Sequence, residues 1–390
     1  MGVKKLFTFL NNNSMYKIYP FLKQLTTDLK LSKSEIIVGV DGNLYAYKYS
    51  HSYDNMLIGF YNQIINFLSN GILPFYIFDG GTINEKESTI YYRNLKKFNN
   101  KIRLEYLKEK YIDQDDEYKN IKSKLEKNSL RITKEDINKI LELLDLLNIP
   151  YLFSHGEGEY LGVMLNKLGI IDLILTDDTD PIPAGAKKII KFYNNNVYYL
   201  DTNQIYINFD LSYNQLCDFC ILLGNDYLSL YHGIKPDKIL DLIITNKTIE
   251  NILELDLIPN FITEKTEFIE KINKIRLIYK NSADLERMMF INPELNTDSN
   301  FIKFIDHSNY SNYSCLLLEF WQELIDIFKT NDPNSPDIVQ FKSKIIIYIK
   351  DKKFNIKNII KFLKNYIPDI SQTEILNTQT TFEYLNSFGF

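Results

Sequence analysis

Cysteine and long hydrophobic runs are scarce in this chain. It has three cysteines in 390 residues, an odd number and too few for a disulfide framework, which indicates a reducing compartment. No apolar run reaches the roughly 18 residues of a membrane-spanning helix. The first residues, MGVKKL, lack the apolar stretch and the cleavage site of a signal peptide. We therefore expect an intracellular protein that is not secreted and has no membrane partner.

Arginine and alanine are also rare, with 5 and 4 residues, whereas lysine and asparagine number 40 and 41. The bias indicates an AT-rich genome, and it makes a well-placed arginine more informative than a lysine. The net charge of −5 argues against a surface coated in positive charge. It does not exclude nucleic-acid binding, because clustered acids can outweigh a local basic face. A hydrophobic content of 45% excludes a wholly disordered chain.

Strands and helices alternate along the first half of the chain. Buried strands are predicted near residues 36–40, 75–78, 149–153 and 173–175, each a short apolar run. Apolar residues at helical spacing separate them, and the chain after about residue 205 is predicted to be mostly helical. This alternation predicts an α/β fold with a mostly parallel central sheet flanked by helices on both faces.

Acidic residues follow several of these strands. Asp41, Asp79 and Asp178 come at or just after the ends of three strands, and the carboxyl ends of parallel strands meet at one edge of a sheet. Two acid-x-acid pairs and one later acid extend the group, which then also contains Glu157, Glu159, Asp180 and Asp226. Any one of these acids alone is typical of a helix cap or a surface charge. Their common location at strand ends favours a shared site.

So many carboxylates in one crevice would repel each other and take up protons unless cations were present. Oxygen-only ligands suit Mg²⁺ or Mn²⁺. Two such ions roughly 3.5–4 Å apart can activate water and stabilise the leaving oxygen of a phosphodiester. The acids therefore predict a two-metal site for phosphodiester hydrolysis.

Seven short motifs occur in an order that resembles a known family. They are MGVKKL (1–6), VGVD (38–41), YIFDG (76–80), GEGE (156–159), TDDTD (176–180), LLGNDY (222–227) and GIKP (233–236). Together they resemble the flap endonuclease family, part of the XPG-like structure-specific nucleases, over roughly residues 1–295. The resemblance implies a PIN-like nuclease core. It also implies that all seven acids are ligands of two Mg²⁺ ions, for which Mn²⁺ would substitute.

The resemblance also implies roles for basic and aromatic residues. Lys86 and Arg93 match the two basic positions that the family uses at the scissile phosphate. They are seven residues apart, so they share one face of a helix. Tyr47 matches an aromatic residue that stacks on the terminal base of the DNA.

Three glycine and lysine positions complete the implied DNA contacts. Gly2 belongs to the N-terminal motif, while Gly233 and Lys235 belong to a helix-turn-helix whose backbone N–H groups hold duplex phosphates without reading sequence. Lys235 replaces the second glycine of the family's turn, and we expect it to contact a phosphate directly.

The domain organisation follows from the same resemblance. Residues 1–110 would form the N-terminal nuclease region and begin a helical arch, since residues 86–110 contain eight basic residues against three acidic ones. Residues 130–297 would form the internal nuclease region with the helix-turn-helix, and residues 298–378 a helical C-terminal extension. Residues 379–390 would be a flexible tail, and their QTTFEYL segment is one residue short of a motif that binds a sliding clamp.

The leading hypothesis is a Mg²⁺-dependent endonuclease and 5′-exonuclease that cleaves 5′ flaps and branched DNA in replication, repair or recombination. Its expected partner is branched double-stranded DNA with a single-stranded 5′ end. We expect a monomer that acts in the nucleus or at a viral replication site. The alternatives are a Holliday-junction resolvase, a 5′→3′ exonuclease of the same superfamily, and a catalytically inactive DNA-binding homologue. The intact set of acids argues against the inactive homologue.

Overall fold

The structure, a computed structural model, describes residues 2–29, 35–53, 55–80, 87–110, 116–228, 233–255, 265–291, 321–351 and 355–366. The strands in these residues are β1 Lys17–Tyr19, β2 Ile36–Asp41, β3 Ile72–Phe78, β4 Tyr151–Phe153, β5 Leu173–Leu175, β6 Lys188–Tyr193 and β7 Asn196–Asp201. They form one sheet in the order β1-β7-β6-β5-β2-β3-β4.

The helices of the described residues fall into three stretches of the chain. The first contains α1 Leu6–Asn12, α2 Leu22–Leu29, α3 Gly42–Ser52, α4 Met56–Ser69, α5 Glu87–Lys110, α6 Asp116–Ser129, α7 Lys134–Leu146 and α8 Gly158–Leu168. The second contains α9 Asn203–Phe209, α10 Tyr213–Leu223, α11 Pro236–Asn246, α12 Ile249–Glu254 and α13 Lys265–Ile291. The third contains α14 Trp321–Thr330, α15 Pro336–Asp351 and α16 Ile356–Tyr366.

The centre of the sheet is parallel, which confirms the predicted fold class. Strand β2 pairs in parallel with β3 and β5, and the parallel arrangement extends to β4 and β6 at either side. The antiparallel edge of β6, β7 and β1 was not predicted. A two-residue turn at Asn194 and Asn195 joins β6 to β7, and both residues have positive φ, of 48° and 60°. Such turns match the twist of a hairpin, and asparagine tolerates this conformation.

Helices cover both faces of the sheet, as the apolar strands predict. Successive residues of a strand point to opposite faces. The Tyr76 hydroxyl of β3 bonds with Gln63 Oε1 of α4 at 2.7 Å. The next residue, Ile77, lies against α8, where a Cβ added at Gly162 would be 3.4 Å from its Cδ1 atom. Strand β3 is therefore buried between α4 on one side and α8 on the other.

Several helices begin with side-chain caps. Thr133 and Asp136 form a capping box at the start of α7, and Ser212 and Gln215 form one at the start of α10. Asp41, the last residue of β2, caps α3 by accepting a hydrogen bond from the Leu44 N–H at 2.9 Å. The acid at the end of this strand is therefore fixed by the helix that follows it.

The C-terminal helices pack against the rest of the fold. The Lys342 ammonium of α15 lies 2.8 Å from Asp172, which precedes β5. The Tyr366 hydroxyl of α16 donates to Glu142 of α7 at 3.2 Å, and Asn55 Nδ2 donates to the Tyr366 carbonyl at 2.6 Å. The predicted tail at residues 379–390 lies outside the described residues, and the predicted domain boundaries stay predictions.

Among the residues that the structure describes, no helix combines the length and the apolar character needed to cross a membrane.

Candidate metal centre

Three carboxylates meet at the carboxyl edge of the parallel sheet. Glu159 lies in the first turn of α8, and Asp178 and Asp180 lie in the loop after β5. One carboxylate oxygen from each lies within 4.8 Å of the other two, and Asp180 is fully buried. A set of oxygen donors at this spacing fits a hard divalent cation such as Mg²⁺ or Mn²⁺. These three residues could hold a metal ion.

Asp41 and Asp79 lie at the ends of the neighbouring strands. Burial raises the pKa of Asp41 well above its usual value, and the nearby carboxylates of Asp79, Glu159 and Asp178 raise it further. Asp79 accepts hydrogen bonds from the Gly158 N–H at 2.7 Å and from Asn43 Nδ2 at 2.8 Å. The crowding of these acids is the arrangement that bound cations would stabilise.

Glu157 lies immediately before α8, at its N-cap position, and its side chain makes no capping hydrogen bond. The Glu-x-Glu pair therefore spans the start of this helix. Residues 154–156, which precede this pair, lie between β4 and α8.

Gly2 packs directly on the candidate ligand Asp178. Its φ is +75°, and a Cβ added there would lie 1.9 Å from Asp178 Oδ1. The following residue, Val3, accepts a hydrogen bond from Thr179 Oγ1 at 3.2 Å, and the Lys4 N–H donates to the Gly224 carbonyl at 2.8 Å. The structure therefore places Gly2 against a metal-ligand candidate, which its predicted role in DNA binding did not anticipate.

Arg93 reaches from α5 to Asp226. Its Nη2 atom lies 2.6 Å from Asp226 Oδ2, so the candidate phosphate-binding arginine forms an ion pair with a candidate metal ligand. The neighbouring Asn225 side chain accepts from the N–H groups of Tyr227 and Leu228 at 3.0 and 2.8 Å, which fixes the loop after α10. Lys86, the other predicted phosphate contact, lies outside the described residues.

A second contact joins α5 to α3 beside the acids. The Lys97 ammonium lies 4.5 Å from the centre of the Tyr47 ring and 3.3 Å from its hydroxyl. Tyr47 therefore lies next to the basic helix, where a positive charge and an aromatic face are available together.

Gly233 and Lys235 lie just before α11 and are exposed. Gly233 has a φ of +71°, and a Cβ added there would meet no atom within 4 Å. Pro236 occupies the first turn of α11. The exposed start of this helix leaves backbone N–H groups available to an anion.

Two residues of α13 that the motifs did not include contact the site. Tyr279 contacts Asn225 Nδ2 at 2.9 Å and Asp180 Oδ1 at 3.5 Å through its hydroxyl. Glu286 lies seven residues further along the same helix and is buried. Burial raises the pKa of its carboxyl to about 7, and the hydrogen bonds from Ser154, His155 and Gly156 offset only part of this rise. The only sequence signal for these two residues was their seven-residue spacing, which places Tyr279 and Glu286 on one face of a helix. Ordinary core residues have the same spacing, so it could not identify them as part of the site.

Two family models match parts of this chain. A family model of the XPG N-terminal domain matches residues 1–100, and a model of the XPG I-region matches residues 148–226. These two matches confirm the resemblance of the motifs to the flap endonucleases and XPG-like nucleases.

Similar proteins include two curated flap endonucleases. Flap endonuclease 1-B of Xenopus laevis is 27% identical over 242 residues, which cover 60% of this chain and 62% of that protein. Flap endonuclease 1 of Encephalitozoon cuniculi is 28% identical over 276 residues, which cover 65% of this chain and 75% of that protein. The chain thus matches less than two thirds of the length of the Xenopus protein.

Two solved structures share the fold. The catalytic core of Rad2 in complex with DNA substrate is 20% identical, with a TM-score of 0.57 over 98% of this chain and 100% of that chain. Flap endonuclease-1 from Methanococcus jannaschii is 17% identical, with a TM-score of 0.56 over 100% of both chains. The nuclease-core fold predicted from the sequence is confirmed.

Proposed function

We propose that this chain is a Mg²⁺-dependent, structure-specific DNA nuclease that cleaves 5′ flaps and branched DNA as an endonuclease and 5′-exonuclease. The single observation that carries the proposal is the meeting of Glu159, Asp178 and Asp180 within 4.8 Å at the carboxyl edge of the sheet. The similarity to known proteins supports the substrate, because the curated relatives are flap endonucleases.

The proposed ligands of two Mg²⁺ ions, or of Mn²⁺ in their place, are Asp41, Asp79, Glu157, Glu159, Asp178, Asp180 and Asp226. When bound, such ions would supply Lewis-acid stabilisation of the phosphodiester and would lower the pKa of water. Asp41 and Asp79 are held in place by hydrogen bonds from the residues around them, so their carboxylates are oriented before any ion binds.

The basic helix α5 would bind the DNA at the scissile phosphate. Arg93 presents a guanidinium at the edge of the acidic cluster, and we propose that it exchanges Asp226 for a phosphate oxygen when substrate binds. Lys86 would contribute a second cation, seven residues before Arg93 and on the same predicted helix face. Tyr47 would stack on the terminal base, with Lys97 beside it.

The start of α11 would bind the DNA duplex at a distance from the cleavage site. Gly233 and Lys235 are exposed there, and we propose that backbone N–H groups and the Lys235 ammonium bind duplex phosphates. We propose that Gly2 also contributes to DNA binding, at a position next to Asp178, against which it packs.

The cellular setting is proposed from the same activity. We propose a monomer that acts in DNA replication, repair or recombination, in the nucleus or at a viral replication site. Residues 379–390, which lie outside the described residues, would provide a weak contact for a sliding clamp.

A panel of labelled substrates tests the function. Flap, nicked, gapped, four-way and RNA–DNA substrates are incubated with the protein, with and without Mg²⁺. We expect Mg²⁺-dependent cleavage at 5′ flaps. Preferred cleavage of the four-way junction would favour the resolvase, and binding without cleavage of any substrate would favour the inactive homologue.

Variants at the acidic loop provide the matched control. Asp178→Asn and Asp180→Asn should abolish cleavage while DNA binding persists, because these acids are proposed to hold ions rather than phosphates. Asp177→Asn should retain cleavage, since Asp177 is outside the proposed ligand set and pairs with Lys48 at 3.0 Å. Near-normal turnover by Asp180→Asn in Mg²⁺ would refute the metal-dependent proposal.

A further inference from the structure

Helix α13 lies directly behind the segment that leads into the Glu-x-Glu pair. Its residue Glu286 is 4% exposed and belongs to none of the family motifs in this sequence. Glu286 Oε1 accepts hydrogen bonds from the Ser154 hydroxyl and the Gly156 N–H, both at 2.7 Å. Glu286 Oε2 accepts one from the His155 N–H at 3.0 Å. One buried carboxyl thus binds three donors from three consecutive residues.

The approach of this carboxyl to the backbone is close. A Cβ added at Gly156 would lie 2.9 Å from Glu286 Oε1, a separation that real Cβ contacts do not show. The Glu286 carboxyl therefore occupies the space that a side chain at position 156 would need. Since Gly156 immediately precedes Glu157, the contact fixes the backbone one residue before the first candidate ligand of α8.

The other side of the same segment is bound to the end of β3. The Gly80 N–H donates to the Gly156 carbonyl at 3.1 Å, and the Gly158 N–H donates to Asp79 Oδ1 at 2.7 Å. The segment is therefore held between α13 behind it and the strand that carries Asp79 in front of it. A shift of its backbone would move Glu157 and would also change the hydrogen bonding of Asp79.

We propose that Glu286 is a positioning residue of the metal centre, which holds residues 154–156 from behind and so fixes where Glu157 and Glu159 present their carboxylates. This inference rests on the metal-dependent function proposed above. Groups that orient metal ligands from outside the coordination shell typically contribute roughly 10–100-fold to metal affinity. We therefore expect an effect of that size when the Glu286 carboxyl is removed.

The test measures Mn²⁺ binding to the DNA-free protein by isothermal titration calorimetry. Glu286→Ala is expected to weaken Mn²⁺ binding by roughly 10–100-fold. Glu286→Gln is expected to weaken it less, because its amide oxygen still accepts from Ser154 and Gly156 while the acceptor for the His155 N–H is lost. The Mg²⁺ concentration that gives half-maximal flap cleavage should rise in the same order, with most of the rate recovered at saturating Mg²⁺.

Asp218→Asn is the matched control. Asp218 is also a buried carboxyl, 2% exposed, and it accepts from Arg276 and from the Ile249 N–H, but it contacts none of the candidate ligand segments described here. We expect this variant to lower the unfolding temperature without changing the Mn²⁺ dissociation constant. A loss of packing alone would have that signature.

The outcomes separate this inference from the proposed function. Unchanged Mn²⁺ affinity in Glu286→Ala, or an equal loss in Asp218→Asn, would overturn the positioning role alone. If Glu286→Ala does not fold, unchanged affinity in Glu286→Gln would overturn it instead. Failure of the unaltered protein to bind Mn²⁺ at all would overturn the proposed function and this inference together.

Discussion

At the scale of single residues, Gly2 is the position where the least change should have the largest effect on the site. An alanine there would place its Cβ 1.9 Å from Asp178 Oδ1, so either the N-terminal segment or the carboxylate must move. We expect Gly2→Ala to weaken Mn²⁺ binding to the DNA-free protein by at least about tenfold, which is the scale of disturbing a ligand's orientation.

Gly169→Ala is the control that separates the steric effect of Gly2→Ala on Asp178 from the effect of backbone strain. Gly169 also has a positive φ, of +83°, but a Cβ there would meet no atom within 4 Å. Both substitutions should cost about 1–2 kcal/mol of folding free energy for the left-handed conformation. Urea unfolding and calorimetric Mn²⁺ titration of both variants check the prediction. Equal Mn²⁺ affinities in the two variants would contradict it.

The buried Glu286 carboxyl should make stability depend on pH. Burial raises its pKa from 4.5 to about 7, so the folded state holds a proton that the unfolded state releases between these values. Stability should therefore fall as the pH rises through this window, by up to about 3 kcal/mol for a shift of this size. Urea unfolding in EDTA at pH 5 and pH 7.5 measures the change.

Glu286→Gln supplies the reference, because its amide does not titrate. The fall in unfolding free energy between pH 5 and pH 7.5 should be smaller in Glu286→Gln than in the unaltered protein. Other acids with a raised pKa, such as Asp41, are present in both proteins, so the difference between the two proteins isolates Glu286. An identical pH dependence would show that the carboxyl keeps an ordinary pKa.

Three of the acids could be predicted to lie together because each comes at or just after the end of a short apolar strand, and the topology of a parallel sheet brings strand ends together. Asp41, Asp79 and Asp178 needed no other information. Glu286 could not be predicted, since it is one of 50 acidic residues and its three donors are about 130 positions away along the chain. The contact of Gly2 with Asp178 is likewise a product of tertiary packing.

At the scale of secondary structure elements, α5 is the element that joins the proposed DNA-binding and metal-binding parts of the site. Arg93 contacts Asp226, and Lys97, about one turn further on, contacts Tyr47. Arg93→Ala should slow single-turnover flap cleavage by about 10²–10³-fold, the scale of losing one preorganised donor. Arg93→Lys should recover part of the rate, because lysine lacks the guanidinium fork.

The same variants should bind DNA nearly normally, since many other phosphate contacts remain. Arg103→Ala is the control on the same helix, because Arg103 is exposed and ten residues further along α5. It should weaken DNA binding modestly and leave the single-turnover rate unchanged. If Arg93→Ala weakens binding without slowing cleavage, Arg93 is a general DNA contact and has no role at the scissile phosphate.

The parallel strands could be predicted, whereas the antiparallel edge could not. Strands β2 and β3 are continuous apolar runs because both of their faces are buried. Strand β1 has three residues, two of them exposed, so it shows no periodicity of its own. It forms a strand because β7 offers a free edge with which it pairs. Such pairing is a property of the assembled sheet.

At the scale of the whole molecule, charges of opposite sign are separated around the site. The chain has a net charge of −5, yet residues 86–110 contain eight basic residues against three acidic ones. The acids at the sheet edge account for part of the excess negative charge. A protein with this separation attracts phosphates to α5 and cations to the sheet edge, so net charge alone does not predict its ligands.

The C-terminal helices give the last prediction. Lys342 of α15 pairs with Asp172 at 2.8 Å, with side chains 13% and 18% exposed, and Asp172 also accepts from the Ile37 N–H of β2. Lys342→Met should lower the unfolding free energy by about 1.5–3 kcal/mol, the range for a hydrogen bond to a charged group. Lys329→Met is the control: Lys329 and its partner Asp326 are 52% and 59% exposed, so its loss should cost less than about 1 kcal/mol.

Two probes show whether these helices unfold together with the sheet. The chain has a single tryptophan, Trp321 in α14, so tryptophan fluorescence reports on the C-terminal helices and far-UV circular dichroism reports on the whole chain. Because α15 and α16 are bound to the sheet and to α7, we expect the two urea transitions to coincide and to shift together in Lys342→Met. A fluorescence transition that shifts alone would show that residues 298–378 form a domain with a stability of their own.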